Sequence, residues 1–158
     1  KLKKFMYYIS KSVPVKINFS DMARDLELSR DELPKYLEYL EKAELVSVLR
    51  MKANGDAILR KMDKLYLQNS NMSYVLSGEN PDTGNARETI FYCWTKQKYD
   101  TVESPVSDFE IDGKTFEVGG RNKGKKQISN LEDAYVVKDT IEYVFDNQVP
   151  LWMFGFLY

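Results

Sequence analysis

Histidine is absent from this 158-residue chain, and cysteine occurs once, at Cys93. The first absence removes Ser-His and Cys-His hydrolases, histidine general bases and nearly all zinc sites. The second excludes an internal disulfide and fits a reducing cytoplasm, the expected location. Long apolar runs are missing as well. The longest is the closing Val149-Pro150-Leu151-Trp152-Met153-Phe154-Gly155-Phe156-Leu157-Tyr158, and a bilayer span needs roughly 20 residues. No membrane partner is therefore expected. Lys1 to Tyr8 leads into an amphipathic helix and not into the apolar region of a signal peptide. The first residue is not Met, so the chain reads as a piece cut from a longer product. With no histidine and one thiol, any metal would be a hard ion on carboxylates, such as magnesium.

What is present suffices for a packed protein. Hydrophobic residues make up 43% and charged residues 30%, enough for a core and for solubility. The net charge of −1 conceals an asymmetry. Residues 1–66 hold 14 Lys and Arg against 10 Asp and Glu, and residues 67–158 hold 9 against 14. Halves of opposite sign suggest two units with different partners.

In the first half, Leu2, Phe5, Met6 and Ile9 form one stripe of a helix over residues 2–10, which Val13-Pro14-Val15 ends. Ser20 stands as N-cap of a second helix carrying Met22, Ala23 and Leu26, and Glu27-Leu28 turns the chain. Ser29 with Glu32 reads as a capping box opening a third helix, with Leu33, Tyr36, Leu37 and Leu40 on one side. Leu45 to Leu49 and Ile58 to Leu67 are strands joined at Ala53-Asn54-Gly55-Asp56, an Asn-Gly hairpin signal. Helix, helix-turn-helix and two-stranded wing are the order of a winged helix, assigned to residues 1–68.

The second half, residues 69–158, changes period. Ser77 to Asn85 is a loop, and residues 86–99 form a helix with Ala86, Ile90, Cys93, Trp94 and Gln97 on one side. Short strands follow over 102–106, 108–111 and 115–118, with a turn at Asp112-Gly113. Gly119 to Lys126 is a basic, Gly-rich loop. A short helix over 126–131 and strands over 134–138 and 141–144 complete the pattern. Cys93 and Trp94 read as core. Trp152, Phe154 and Phe156 are expected to dock the tail on the sheet.

Asp108 and Glu117 are the sharpest chemical pair, nine residues apart on neighbouring strands. In the nuclease fold with the Asp…(Asp/Glu)-x-Lys signature, such a pair binds magnesium, and the lysine stabilises or activates the attacking water. Here Gly119 occupies the lysine position and supplies neither charge nor donor. Glu88, on the preceding helix, is a candidate third carboxylate, and Lys125 and Lys126 are candidates for a migrated lysine. Acids flanking a hairpin are more often solvated surface, so the pair gains weight only from the resemblance below. Gly119 to Lys126 also matches G-x-x-x-x-G-K. We reject it as a nucleotide site, because the next residue should be Ser or Thr and is not.

For DNA, the third helix is a poor reader. Arg30, Lys35 and Lys42 stand against Asp31, Glu32, Glu38 and Glu41, a net of −1. The wing is better, with Arg50, Lys52, Arg60 and Lys61 against Asp56. These four are the candidate DNA-binding residues, clamping duplex phosphates without reading sequence. The competing use of a winged helix is as a protein contact or lever, and the charges weigh the two about evenly.

Lys64-Leu65-Tyr66-Leu67, Arg87-Glu88-Thr89, Asp108-Phe109, Phe116-Glu117-Val118-Gly119-Gly120 and the closing tail together resemble the C-terminal half of a family of bacterial and archaeal AAA-type ATPases. The resemblance covers nearly the whole chain and is most specific at Glu-Val-Gly-Gly and the tail. It implies an upstream P-loop ATPase domain, which would bind the ATP, and a winged helix joined to a nuclease-like domain of unknown function. That family more often carries Glu-Val-Lys. The expected fold class is thus α+β: a winged helix-turn-helix followed by a small restriction-endonuclease-like α/β domain with a mixed central sheet. The expected function is a non-catalytic accessory region that binds double-stranded DNA or a partner protein and couples it to the motor. The alternative is a magnesium-dependent nuclease with a displaced catalytic lysine.

Overall fold

The computed structural model describes residues 1–51, 63–78, 82–123 and 128–157. The chain is α+β and divides into two compact units, the first ending at Pro81, with Arg50–Asn54 belonging to the second. The expected wing turn at Ala53 to Asp56, most of the expected strand before Lys64, and Gly124 to Lys126 lie outside the described residues. Among the described residues, no helix is long and apolar enough to cross a membrane.

The first unit is built from amphipathic helices on a small sheet. Helix α1 (Leu2–Ser12) buries Phe5, Met6 and Ile9, three of the four positions of the expected stripe. Leu2 remains 39% exposed. Strand β1 (Val15–Lys16) follows. Helix α2 (Phe19–Leu26) is capped by Asn18 and not by Ser20: the Asn18 side chain accepts the N–H groups of Ser20 and Asp21. Asn18 stands two residues before Ser20, so the helix starts earlier and the orphan donors of its first turn are those of Ser20 and Asp21, which the asparagine oxygen satisfies. Glu27, at φ 55°, closes α2 in the left-handed region, and α3 (Leu33–Lys42) buries Leu33, Leu37 and Leu40. Half of the capping box forms: the Glu32 carboxylate is hydrogen-bonded by the Ser29 backbone, as it is by Lys1 and the Tyr36 hydroxyl. Ser29 Oγ instead accepts from Asp31 N–H, and Glu32 N–H goes to the Ser29 carbonyl. Strands β2 (Val46–Leu49) and β3 (Lys64–Leu67) complete an antiparallel sheet of order β1-β3-β2. Helix α4 (Asn71–Ser77), absent from the sequence reading, packs on α1. Its apolar Tyr74, Val75 and Leu76 face solvent, so no buried stripe marks it.

In the second unit, α5 (Thr83–Thr95) starts three residues earlier than its apolar pattern, because Asp82 caps it through Asn85 N–H at 2.9 Å. A five-stranded mixed sheet follows in chain order: β4 (Val102–Glu103), β5 (Phe109–Ile111), β6 (Lys114–Gly119), β7 (Ala134–Lys138) and β8 (Gln148–Pro150). The first three are antiparallel, while β6, β7 and β8 run parallel. Asp112 and Gly113, at φ 50° and 79°, make the tight β5–β6 turn, a backbone that Asp and Gly tolerate. Phe91 of α5 packs on Phe109, Phe116 and Phe154 at centroid separations of 5.0, 5.5 and 4.7 Å.

Two expectations are corrected here. Residues 141–144 are not a strand. The last strand lies at Gln148–Pro150, after a turn in which Phe145 bridges Gln148 and Asp146 takes φ 55°. In the tail, a 3-10 helix over Leu151–Phe156, only Phe154 joins the aromatic core. Trp152 and Phe156 are exposed at 51% and 76%, since a three-residue turn cannot aim all three rings inward.

Candidate functional site

The site is organised by β6. Phe109 faces Phe116 across the antiparallel ladder, and one further step of that register sets Asp108 opposite Glu117. Side chains alternate along a strand. Phe116 packs under α5, so Glu117 and Gly119 point to the other face.

On that face the contacts converge. Asp108 Oδ2 accepts the Val118 N–H at 2.8 Å. Glu117 is 1% exposed and places Oε1 2.5 Å from the Lys123 ammonium, while its other oxygen accepts the Ser107 hydroxyl. Carboxylates directly opposite each other on paired strands repel, and a buried charge costs several kcal/mol unless paired. Lys123 provides the compensating charge.

Lys123 reaches Glu117 through a turn in which its N–H donates to the Gly120 carbonyl at 3.0 Å. A Cβ on Gly119 would fall 2.5 Å from Lys123 Cβ and 2.7 Å from Cδ, and nearer still to Cγ. The lysine stem therefore fills the volume that any side chain at 119 would occupy. Gly120 makes similar room for the Arg87 guanidinium, 3.0 Å from its absent Cβ, and Arg87 Nε donates to Asp139 at 2.6 Å. Burial opposes the Lys123 charge. The hydrogen bond to Glu117 and the fields of Asp108, Glu117 and Glu88 outweigh it and hold this ammonium above the usual lysine range.

The structure thus brings Asp108 and Glu117 together and leaves Glu88 within electrostatic reach of Lys123. Among the described residues, no group of three or more Asp, Glu or Cys side chains could hold a metal. Arg50 is exposed, with its carbonyl accepting Glu103 N–H at 3.0 Å. Lys52, Arg60, Lys61, Lys125 and Lys126 lie outside the described residues. Burial pushes the Cys93 thiol up to about 11, away from the thiolate that a nucleophile needs. A recess of about 200 Å³ near Tyr99, Phe154 and the Asp112 turn contains none of the acidic pair.

Lys123 and Ser107 were not singled out from sequence. A signal for the first exists: Gly-Gly follows Glu117-Val118 where a lysine is expected, and a lysine stands four residues after the vacated position, the reach of one tight turn.

Residues 1–83 match a family model described as Domain of unknown function (DUF8612). The chain belongs to that family. The DUF8612 match spans the first unit and ends at Thr83, so Asp108, Glu117 and Lys123 lie beyond it. Comparison with curated proteins and with solved structures finds no match.

Proposed function

We propose that the second unit is a restriction-endonuclease-like domain that hydrolyses phosphodiesters with magnesium, using Asp108, Glu117 and a lysine supplied from position 123. The observation that carries this reading is the Lys123 stem lying over Gly119 with its ammonium against Glu117. Gly119 was the reason to expect a silent scaffold, and a cation in its place removes that reason. The sheet supports the reading too, with a three-strand antiparallel meander, a parallel fourth strand, and α5 ahead of them.

The donor set fits magnesium. Asp108 and Glu117 offer only oxygen, and magnesium is commonly held by one or two carboxylates, waters and substrate phosphates. When bound, the ion would polarise the phosphoryl group and lower the pKa of a coordinated water. Lys123 holds positive charge beside Glu117, where negative charge develops on an attacked phosphate. Burial of Glu117 keeps bulk water from screening that charge.

Supercoiled plasmid incubated with this 158-residue chain and magnesium is expected to be nicked. Chelation, Asp108→Ala or Glu117→Ala should each reduce nicking to background. Equal nicking by the parent and both variants would overturn the assignment.

The first unit we read as a winged helix that holds duplex DNA for this site or for an upstream AAA-type ATPase. Its order α1-β1-α2-α3-β2-β3 supports this. Lys42 of α3 is already paired with Glu38 at 2.6 Å, and the acidic excess on that helix favours the wing cations as the phosphate contacts. In a mobility-shift titration, binding should weaken steeply with salt and on neutralising Lys52, Arg60 and Lys61 together. Absence of any shift at low salt would refute the DNA reading and favour a protein partner.

A further inference from the structure

We propose that Ser107 is a positioning residue that fixes the Glu117 carboxylate for the metal, an inference resting on the metal-site reading above. Ser107 lies between β4 and β5, immediately before Asp108. Its place is set by Ser104, whose hydroxyl accepts the N–H groups of Val106 and Ser107 at 3.3 and 3.2 Å. Ser104 is itself buried, 5% exposed. The turn so formed delivers the Ser107 hydroxyl to Glu117 Oε2, with the Phe116 carbonyl 3.2 Å away as the competing acceptor. A hydroxyl has one proton to donate, and a charged carboxylate is the stronger acceptor. The proton therefore goes to Glu117.

Glu117 is then held at both oxygens, by Lys123 on one and Ser107 on the other, so its carboxylate plane cannot turn. Magnesium demands near-octahedral geometry. A carboxylate free to rotate loses metal affinity before it loses the chemical step.

Calorimetric titration of the full chain with magnesium alone tests this. Ser107→Ala should weaken magnesium binding about 10- to 100-fold, the usual effect of losing a group that orients a metal ligand. Ser107→Thr, which keeps the hydroxyl, should bind as the parent does. Plasmid nicking by Ser107→Ala should need correspondingly more magnesium but reach a similar rate at saturation. Unchanged magnesium affinity in Ser107→Ala, beside a parent that binds, overturns the role of Ser107 alone. A parent that binds no magnesium overturns the metal site and this role with it.

Discussion

Lys123→Met should lower magnesium-dependent plasmid nicking by about 100- to 10,000-fold, the range for losing a positioned catalytic group. Methionine retains most of the apolar stem over Gly119 and removes only the ammonium. Glu117 would then be a nearly fully buried carboxylate without its 2.5 Å partner. Its charge would no longer be balanced against Asp108, which faces it one register step beyond Phe109 and Phe116. Lys123→Arg should not restore the rate, because a wide planar guanidinium does not reproduce the compact ammonium held against Glu117. The measurement is initial nicking rate at saturating magnesium, with a denaturation midpoint on the same preparation. A variant that is folded and as fast as the parent would remove Lys123 from the chemistry.

Gly119→Ala should destabilise the second unit by about 1–3 kcal/mol, the usual effect of forcing extra volume into a filled space. The new methyl would meet the Lys123 stem at its Cβ and Cδ, 2.5 and 2.7 Å away, and not at the mobile tip. Rotamer change cannot clear the Cβ atom, so the Gly120–Lys123 turn must shift. The clash depends on Lys123, which makes the two positions interdependent. Denaturant unfolding of Gly119→Ala, Lys123→Ala and the double variant should therefore give a coupling of about 0.5–3 kcal/mol, as for residues in contact. Strict additivity would mean that the lysine stem does not fill the space above Gly119 in solution.

Much of this arrangement is legible from residues alone, where one rule acts locally. The stripe Phe5, Met6 and Ile9, the Leu33-Leu37-Leu40 spacing and the Asp112-Gly113 turn each follow from a single period or a single backbone requirement. So does the facing of Asp108 and Glu117, since a tight hairpin fixes the register of its strands. Other features depend on relations that no period carries. Helix α4 has no buried apolar stripe to announce it. Val144 and Phe145 look like strand residues, yet the chain turns there and pairs through Gln148–Pro150 instead. The Gly119–Lys123 relation is of the same kind. An absent side chain and a lysine four residues later become one feature only when a turn folds the second onto the first. Read in line, Gly119 stands where the nuclease signature would have a lysine. In three dimensions it is the opening through which another lysine enters.

That exchange can be run backwards. Gly119→Lys combined with Lys123→Gly returns the lysine to the second position after Glu117 and empties the space over it. Nicking by this double variant at saturating magnesium, compared with Lys123→Gly alone, is the most direct test of the site. Recovered magnesium-dependent nicking in the exchange, with none in the single variant, is the predicted result. A folded double variant as inactive as Lys123→Gly, or a single variant as active as the parent, would contradict the assignment of Lys123 as the displaced lysine.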